Sequence, residues 1–352
     1  MDYPGEKLLI RMWETLAEKG IGGLLKPWQI RREGQALADV RRGELLLLAQ
    51  AERDSEDIKL GRKILGAEGR LLPAPKDVDD APPEGEPLLQ LVAKTVERNV
   101  TGDAIRKEIN VGKTILMAEE LLETEAQAPP DQGPDSDWLY RWRDAAGGVS
   151  EPELQILWAS LLAGEFKAPG TYSLRTVEFV RNLSRNEAED IARAAPFAAE
   201  GIIYSGATQL FEREGLDFGF LLRMQNLGIL SGVGGLGLTF TVASNQADGF
   251  SAVLKSHGKA LLVKKDDAGA KITIGAYPLT ELGKEVLRLA HFEAHPEYLT
   301  TLGEFLVKQG FTVTLGDFVR QNNNMIRLNN HKGISLPKES TGDDSERAPD
   351  GA

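Results

Sequence analysis

Two stretches of the 352-residue chain resist regular structure and so decide how the rest is partitioned. Residues 73–87 (PAPKDVDDAPPEGEP) carry five prolines and five acidic side chains, and residues 123–137 (ETEAQAPPDQGPDSD) carry five acidic side chains and no basic one. Proline removes a backbone donor and disfavours helical geometry at the residue before it, and segments this polar have little to bury. Both read as linkers. They set off an N-terminal helical region (1–72) and a second helical region (88–122) from everything after residue 137.

Residues 6–19 place Leu9, Met12, Trp13 and Leu16 on one side of a helix that Gly20, Gly22 and Gly23 stop. From Pro27 to about Ile64 the chain is charged and rich in Ala and Leu. There Ile30, Leu37, Ala51, Ile58 and Leu65 fall at multiples of seven, with Glu44 interrupting. Only Val40 and Leu47 fill the companion positions, which makes half a coiled-coil seam. A long helix packed on another is the expectation. The same stripe would serve either self-association or an intramolecular helix hairpin. The second region is expected to break near Asn99–Gly102.

Residues 138–199 read as a bundle of short capped helices. Asp137 precedes Trp138, Leu139, Tyr140 and Trp142. Ser150 and Pro152 precede a face of Leu154, Leu157, Trp158, Leu161 and Leu162, and Ser173 and Ser184 open two more helices. After residue 200 the pattern changes. A helix ends at Gly228, strands alternate over Leu238–Ala243, Lys259–Lys265 and Lys271–Ala276, and Leu279-Thr280-Glu281-Leu282-Gly283 opens another helix. That order predicts a winged-helix-like module over 200–336, with a disordered charged tail after it at 337–352. The fold class expected is therefore mainly α with a small β component: long N-terminal helices, a central helical bundle and a C-terminal winged-helix-like α+β module.

Composition narrows function mostly by exclusion. The absence of cysteine removes thiolate nucleophiles, disulfides, iron–sulfur clusters and Cys-ligated zinc. The net charge of −12 is contained entirely in the two acidic stretches and the tail, so the remainder is neutral and a nucleic-acid partner is not excluded. Asp2 and Glu6 precede any apolar stretch, the wrong polarity for a secretory leader, and a cytoplasmic protein is expected. Met224–Ala247 lacks charge, but its glycines and its Gln, Asn, Ser and Thr residues fit a helix end, loop and strand better than a membrane span.

Three motifs imitate chemistry. Asn110-Val-Gly-Lys-Thr114 ends like a phosphate-binding loop, but Lys107 stands where glycine is required and the preceding sequence is helical. Gly232-Val-Gly234-Gly-Leu-Gly237 has dinucleotide-loop spacing, but with a helix before it and a strand after, the reverse of the required order. His291 and His295 are one helical turn apart and fit neither zinc-protease order, so they are expected at a helix C-terminus. No catalytic set, cofactor site, metal site or small-molecule substrate emerges.

The segment over residues 137–190, with Asp137-Trp138, Gln155, Leu157-Trp158-Ala159, Leu162-Ala163-Gly164-Glu165, Pro169-Gly170, Ser173, Arg175-Thr176, Asn182-Leu183-Ser184 and Ala188, resembles a bacterial family catalogued as domain of unknown function 2806. Stretches at 20–38, 104–122 and 277–290 are similar in kind. More distantly, LWASLLAGE and TVEFVRNLS resemble the core of the abortive-infection alpha family linked to phage defence. The resemblance implies a bacterial cytoplasmic protein and no particular reaction.

Two functions are expected on these grounds. One is a non-enzymatic regulatory, sensor or scaffold protein that acts through protein contacts or self-association, in phage defence if the distant resemblance holds. The other is nucleic-acid binding through the wing, with Arg223, Gln225 and Asn226 on the candidate recognition helix and Lys255, Lys259, Lys264, Lys265 and Lys271 on the wing. Acids at Glu212, Glu214 and Asp217 beside that helix weigh against the second. An effector or enzyme of unrecognised type is a minor third. Glu165 and Arg175, which flank the Pro169-Gly170 turn, are expected to pair across it or to contact a partner.

Overall fold

The computed structural model describes residues 4–22, 37–66, 70–74, 88–235, 238–244, 248–320 and 326–336. The chain is mainly α with a smaller β component and divides into two compact units, Met1–Leu183 and Ser184–Ala352. The division falls inside the 138–199 stretch expected as one bundle, so the helix opened by Ser184 belongs to the C-terminal unit.

In the first unit, helix α1 (Glu6–Glu18) buries Leu8, Leu9, Met12, Trp13 and Leu16. Gly5 lets this helix begin against another backbone. Its N–H donates to the Glu123 carbonyl at 3.0 Å, and a Cβ there would collide with the Leu122 carbonyl oxygen. Helix α2 (Leu37–Lys59) is shorter than its stripe implies. Gly61 takes φ +69°, the left-handed value that ends helices. The chain then turns into a hairpin, β1 (Lys63–Leu65) with β2 (Leu71–Pro73), where helix was expected. Lys63 ties the hairpin back to α2, with Nζ 2.7 Å from Asp54 and 2.8 Å from Asp57.

Helix α3 (Leu88–Glu123) is one unbroken helix of 36 residues, about 54 Å long at 1.5 Å per residue. The break expected near Asn99–Gly102 does not occur, because Gly102 is a contact point. Ser55 Oγ donates to its carbonyl at 2.8 Å, and a Cβ on it would lie 2.6 Å from Lys59 Cγ. Ion pairs Lys59–Asp103 (2.5 Å) and Lys113–Glu52 (2.8 Å) border the same α2–α3 contact. Leu48, Ile58 and even the interrupting Glu44 are buried. Of the seven-residue stripe, Glu44 and Ile58 thus contribute to an intramolecular helix pair, whereas Leu47 and Leu65 are exposed and Ile30 lies outside the described residues.

Helices α4 (Ser136–Gly147), α5 (Pro152–Lys167) and α6 (Leu174–Arg181) complete the unit. Indole N–H groups join them: Trp142 Nε1 donates to the Trp158 carbonyl at 2.9 Å, and Trp138 Nε1 to the Tyr172 carbonyl at 2.8 Å. Ser173 caps α6 as expected. The caps of α4 and α5 are Asp135 and Glu151, displaced from the expected Asp137 and Ser150. The acidic stretch at 123–137 is more than a spacer. Glu125 pairs with Lys167 at 2.8 Å, Gln127 Nε2 donates to the Lys167 carbonyl at 2.7 Å, and Pro134 is buried. Residues 75–87 of the first linker and the tail 337–352 lie outside the described residues.

The second unit opens with α7 (Arg185–Ala194), held by the full capping box of Ser184 and Glu187. Next come β3 (Ile202–Tyr204), α8 (Thr208–Arg213), α9 (Phe218–Asn226) and β4 (Leu238–Ala243). After a hairpin of β5 (Phe250–Ser256) and β6 (Lys259–Lys265), the chain forms β7 (Lys271–Pro278), α10 (Glu281–Val286), α11 (Pro296–Lys308), β8 (Thr312–Arg320) and β9 (Ile326–Ile334). Two separate antiparallel sheets result, β3-β7-β4 and β5-β6-β8-β9. Lys259–Lys265 therefore belongs to a different sheet from the two strands it was expected to join. Alternation fixes each strand's faces but carries no information about its neighbour. The Tyr298 hydroxyl, fully buried on α11, accepts the Tyr204 N–H at 2.7 Å and ties that helix to β3.

Candidate functional site

Helix α9 starts where Gly215 (φ +70°) turns the chain and Asp217 accepts the Phe220 N–H at 2.7 Å. Its periodicity buries Phe220, Leu221 and Met224 and leaves Asp217, Phe218, Gly219, Arg223 and Asn226 outward, with Leu222 half-buried. Phe218 is 61% exposed.

Of the polar groups on α9 that would serve a nucleic-acid groove, Arg223 and Gln225 are already engaged, while Asn226 is exposed. Arg223 Nε lies 3.4 Å from Asp190 Oδ2 on α7, and its guanidinium sits 5.3 Å from the Phe220 ring centroid. Arg193 approaches the same ring at 4.9 Å and the same carboxylate at 3.3 Å, and donates to the Gly215 carbonyl at 3.1 Å. Gln225 Oε1 accepts the N–H groups of Val233 (2.6 Å) and Gly234 (3.3 Å). The described part of the glycine loop, through Gly235, is thus a turn braced by α9, consistent with the loop expected there.

The Leu-Thr-Glu-Leu-Gly motif has a local cause. Thr280 Oγ1 donates to the Gly228 carbonyl and accepts the Gly283 N–H at 2.9 Å, while a Cβ on Gly283 would strike the Ile229 carbonyl oxygen. Cap and close approach lock the start of α10 onto the end of α9. The helix is shorter than expected, ending at Val286.

The five lysines do not form one wing. Lys271 begins β7 and is exposed on the three-stranded sheet. The other four lie on β5 and β6 of the four-stranded sheet, on opposite faces. Register places Lys255 and Lys264 on one face and Lys259 and Lys265 on the other. Lys259 pairs with Asp317 at 2.6 Å, and with Asn330 it holds the Asp317 carboxyl below the usual carboxylate range. Lys265 lies 4.9 Å from the Phe311 ring centroid and donates to the Gln309 carbonyl at 3.2 Å. Lys255 sits 5.6 Å from the Phe318 ring centroid, and Lys264 is exposed.

Elsewhere the candidates serve structure. Glu165 is buried, and its carboxylate accepts the N–H groups of Gly170 (2.5 Å) and Tyr172 (3.2 Å), building the Pro169-Gly170 turn from within. Arg175, the residue expected to pair with Glu165 or with a partner, is exposed on α6. Asn110, in the phosphate-loop imitation, is buried within α3 and donates to the Gly147 carbonyl at 2.9 Å and to Ser150 Oγ at 3.2 Å. His295 is not at a helix C-terminus. It caps the N-terminus of α11, with Nδ1 accepting the Tyr298 N–H at 3.2 Å and the ring stacked on Phe197 at 4.8 Å. Among the described residues no group of three or more His, Asp or Glu is arranged to hold a metal ion, and no helix is long and apolar enough to cross a membrane.

Sequence reasoning missed Phe218 and Asp190. The signal for Phe218 was present: Phe220, Leu221 and Met224 define the inward face, which turns Phe218 outward. Nothing local marks Asp190, whose role comes from the approach of α7 to α9.

No curated protein and no solved structure matches the chain. A family model described as Protein of unknown function (DUF2806) matches residues 94–303, from the middle of the first unit through α10 and into α11. That match covers more than half of the chain, and the protein belongs to this family.

Proposed function

We propose that the second unit is a winged-helix-like module that docks a protein, and that the chain is a non-enzymatic regulatory or scaffold protein. The order α7, β3, α8, α9, β4 and then, after the inserted β5–β6 hairpin of the other sheet, β7, with the strands side by side as β3-β7-β4, supports the winged-helix reading. In that reading α9 is the recognition helix. The observation that carries the choice of partner is its outward surface, Phe218 flanked by Asp217 and the exposed Glu212 and Glu214, with Arg223 tied to Asp190. A groove reader needs free cationic and amide donors there. An exposed ring that follows an acidic stretch of chain suits an apolar pocket rimmed by basic side chains. The distant resemblance to a phage-defence family suggests a partner made or altered on infection.

Phe218→Asp tests this reading. The variant keeps the fold, and in pull-downs from the native host it loses the protein that the wild type retains. Equal capture by both overturns the reading. A second reading, nucleic-acid binding, is favoured by Lys255 beside the Phe318 ring and Lys264 on the same sheet face. A duplex titration at about 50 mM salt decides between them: we expect no binding, and salt-sensitive binding lost in Lys255→Ala/Lys264→Ala would establish the alternative.

A further inference from the structure

Helix α3 has two unlike halves. From Gly102 onward it is packed against α2 or buried among the other helices of the first unit. Between Leu88 and Val100 every side chain is exposed except Leu91 and Arg98, which are half-buried. The other helix of the pair ends at Lys59, level with Asp103, and Gly61 lies beside the Arg98 guanidinium. The first three turns of α3 therefore extend past the end of α2.

One side of this extension is apolar. Leu88, Val92, Val96 and Val100 repeat every four residues, joined by Leu89 and, at the end of α2, by Leu60. Leu88 is 75% exposed, Leu89 81% and Leu60 64%. Together these six side chains expose roughly 600 Å² of mostly apolar surface, at the upper end of what a typical monomer leaves bare. Covering the stripe would take this apolar area out of water.

We infer that the cover is a second copy of this chain, paired through the same stripe about a two-fold axis level with Lys94. Three features fit that occupant. A row at i, i+4, i+8, i+12 is the ridge that interdigitates with an identical ridge, crossing at roughly −50°. The row is self-complementary when reversed about residue 94: Leu88 meets Val100 of the other copy and Val92 meets Val96. Lys94 itself lies on the opposite side of the helix and does not oppose its own copy. The exposed area is close to the roughly 800 Å² per partner of a specific interface, and the polar residues between the apolar ones supply the remainder. This surface is distinct from the Ile30–Leu65 stripe, of which Glu44 and Ile58 are buried within the chain, and from the Phe218 face.

The full chain tests the inference. Light scattering at about 50 µM is expected to give twice the 38.4 kDa chain mass. Val92→Asp/Val96→Asp is expected to weaken self-association at least roughly tenfold and return the monomer mass, with far-UV circular dichroism preserved outside the first turns of α3. Because the chain has no cysteine, introduced thiols report without background. Val92→Cys/Val96→Cys is expected to form a covalent dimer on mild oxidation, and Leu45→Cys, exposed on α2, is not. A monomeric wild type, an unchanged mass in the double aspartate variant, or equal cross-linking through Leu45→Cys would each overturn the proposal.

Discussion

The two units solve the same problem, satisfying backbone polar groups inside a core, by different means. In the first unit the helices satisfy their own backbones, and what locates one helix on another is a side chain reaching a foreign carbonyl. Ser55 reaches Gly102, Asn110 reaches Gly147, Trp138 reaches Tyr172 and Trp142 reaches Trp158. In the second unit two ladders pair the strands, and side chains instead fix the turns and junctions: Gln225 the glycine loop, Thr280 the start of α10, Tyr298 the strand β3. A helical assembly is thus specified by a few long-range polar staples set in apolar surroundings. A sheet assembly is specified by register, with staples confined to where the ladder stops.

The sharpest break in that comparison is at Trp142, fully buried with its N–H on the Trp158 carbonyl. Trp142→Ala removes both packing and staple and is expected to cost about 3–5 kcal/mol, a large share of a domain's stability. Denaturant titration should show the first unit unfolding early while the β signal of the second persists. Simultaneous loss of both would mean that the units do not unfold separately.

Single polar staples should matter less, and about equally, in the two units. Tyr298→Phe keeps the ring and strands the buried Tyr204 N–H, and Asn110→Ala strands the Gly147 carbonyl. Each is expected to cost about 1–3 kcal/mol, measured as a shift in the denaturant midpoint at constant slope. A far larger loss for Asn110→Ala than for Tyr298→Phe would show that a helical staple does more than satisfy one polar group. The reverse would place the tighter constraint on the β3–α11 junction.

The same contrast explains what could be read from sequence. Helices and their caps are local, so α1, α6 and the Ser184–Glu187 box are legible from spacing and residue type alone. Where a cap was misplaced, at α4 and α5, the error was one or two residues: Asp135 and Asp137 offer the same chemistry nearby, and at α5 the cap position falls on Glu151, whose side chain does not cap the helix. Gly102 misled because a glycine that breaks a helix and one that admits a neighbour look identical until the neighbour's place is known. Strand partners depend on residues tens of positions away. The β5–β6 hairpin therefore went unrecognised as the start of a second sheet, and the lysines gathered on one expected wing were dispersed. At the candidate site the helix, its inward face and Arg223 were legible, whereas the acid that occupies Arg223 was not.

The smallest effect expected lies at His257, where the ladder of the second unit meets a staple of the other kind. The residue takes φ +40° and Gly258 φ +83° in the two-residue turn between β5 and β6, the left-handed pair that such hairpins require. Its Nε2 lies 2.7 Å from the Ala195 carbonyl, and its ring packs edge-on against Phe292 at 5.7 Å. Burial lowers its pKa from the ordinary 6.5. The bond to Ala195 opposes that shift, and the neighbouring His291 charge adds to it. The unfolded chain then binds a proton that the folded chain resists, so this contribution to stability is complete above about pH 6.5 and is lost as the pH falls through the lowered value. His257→Asn retains a residue suited to the left-handed turn and removes the titration. Thermal midpoints at pH 7.5 and 5.5 should therefore fall less in the variant than in the wild type. An equal fall would mean that the acid sensitivity resides in other groups and that His257 serves the turn by its conformation alone.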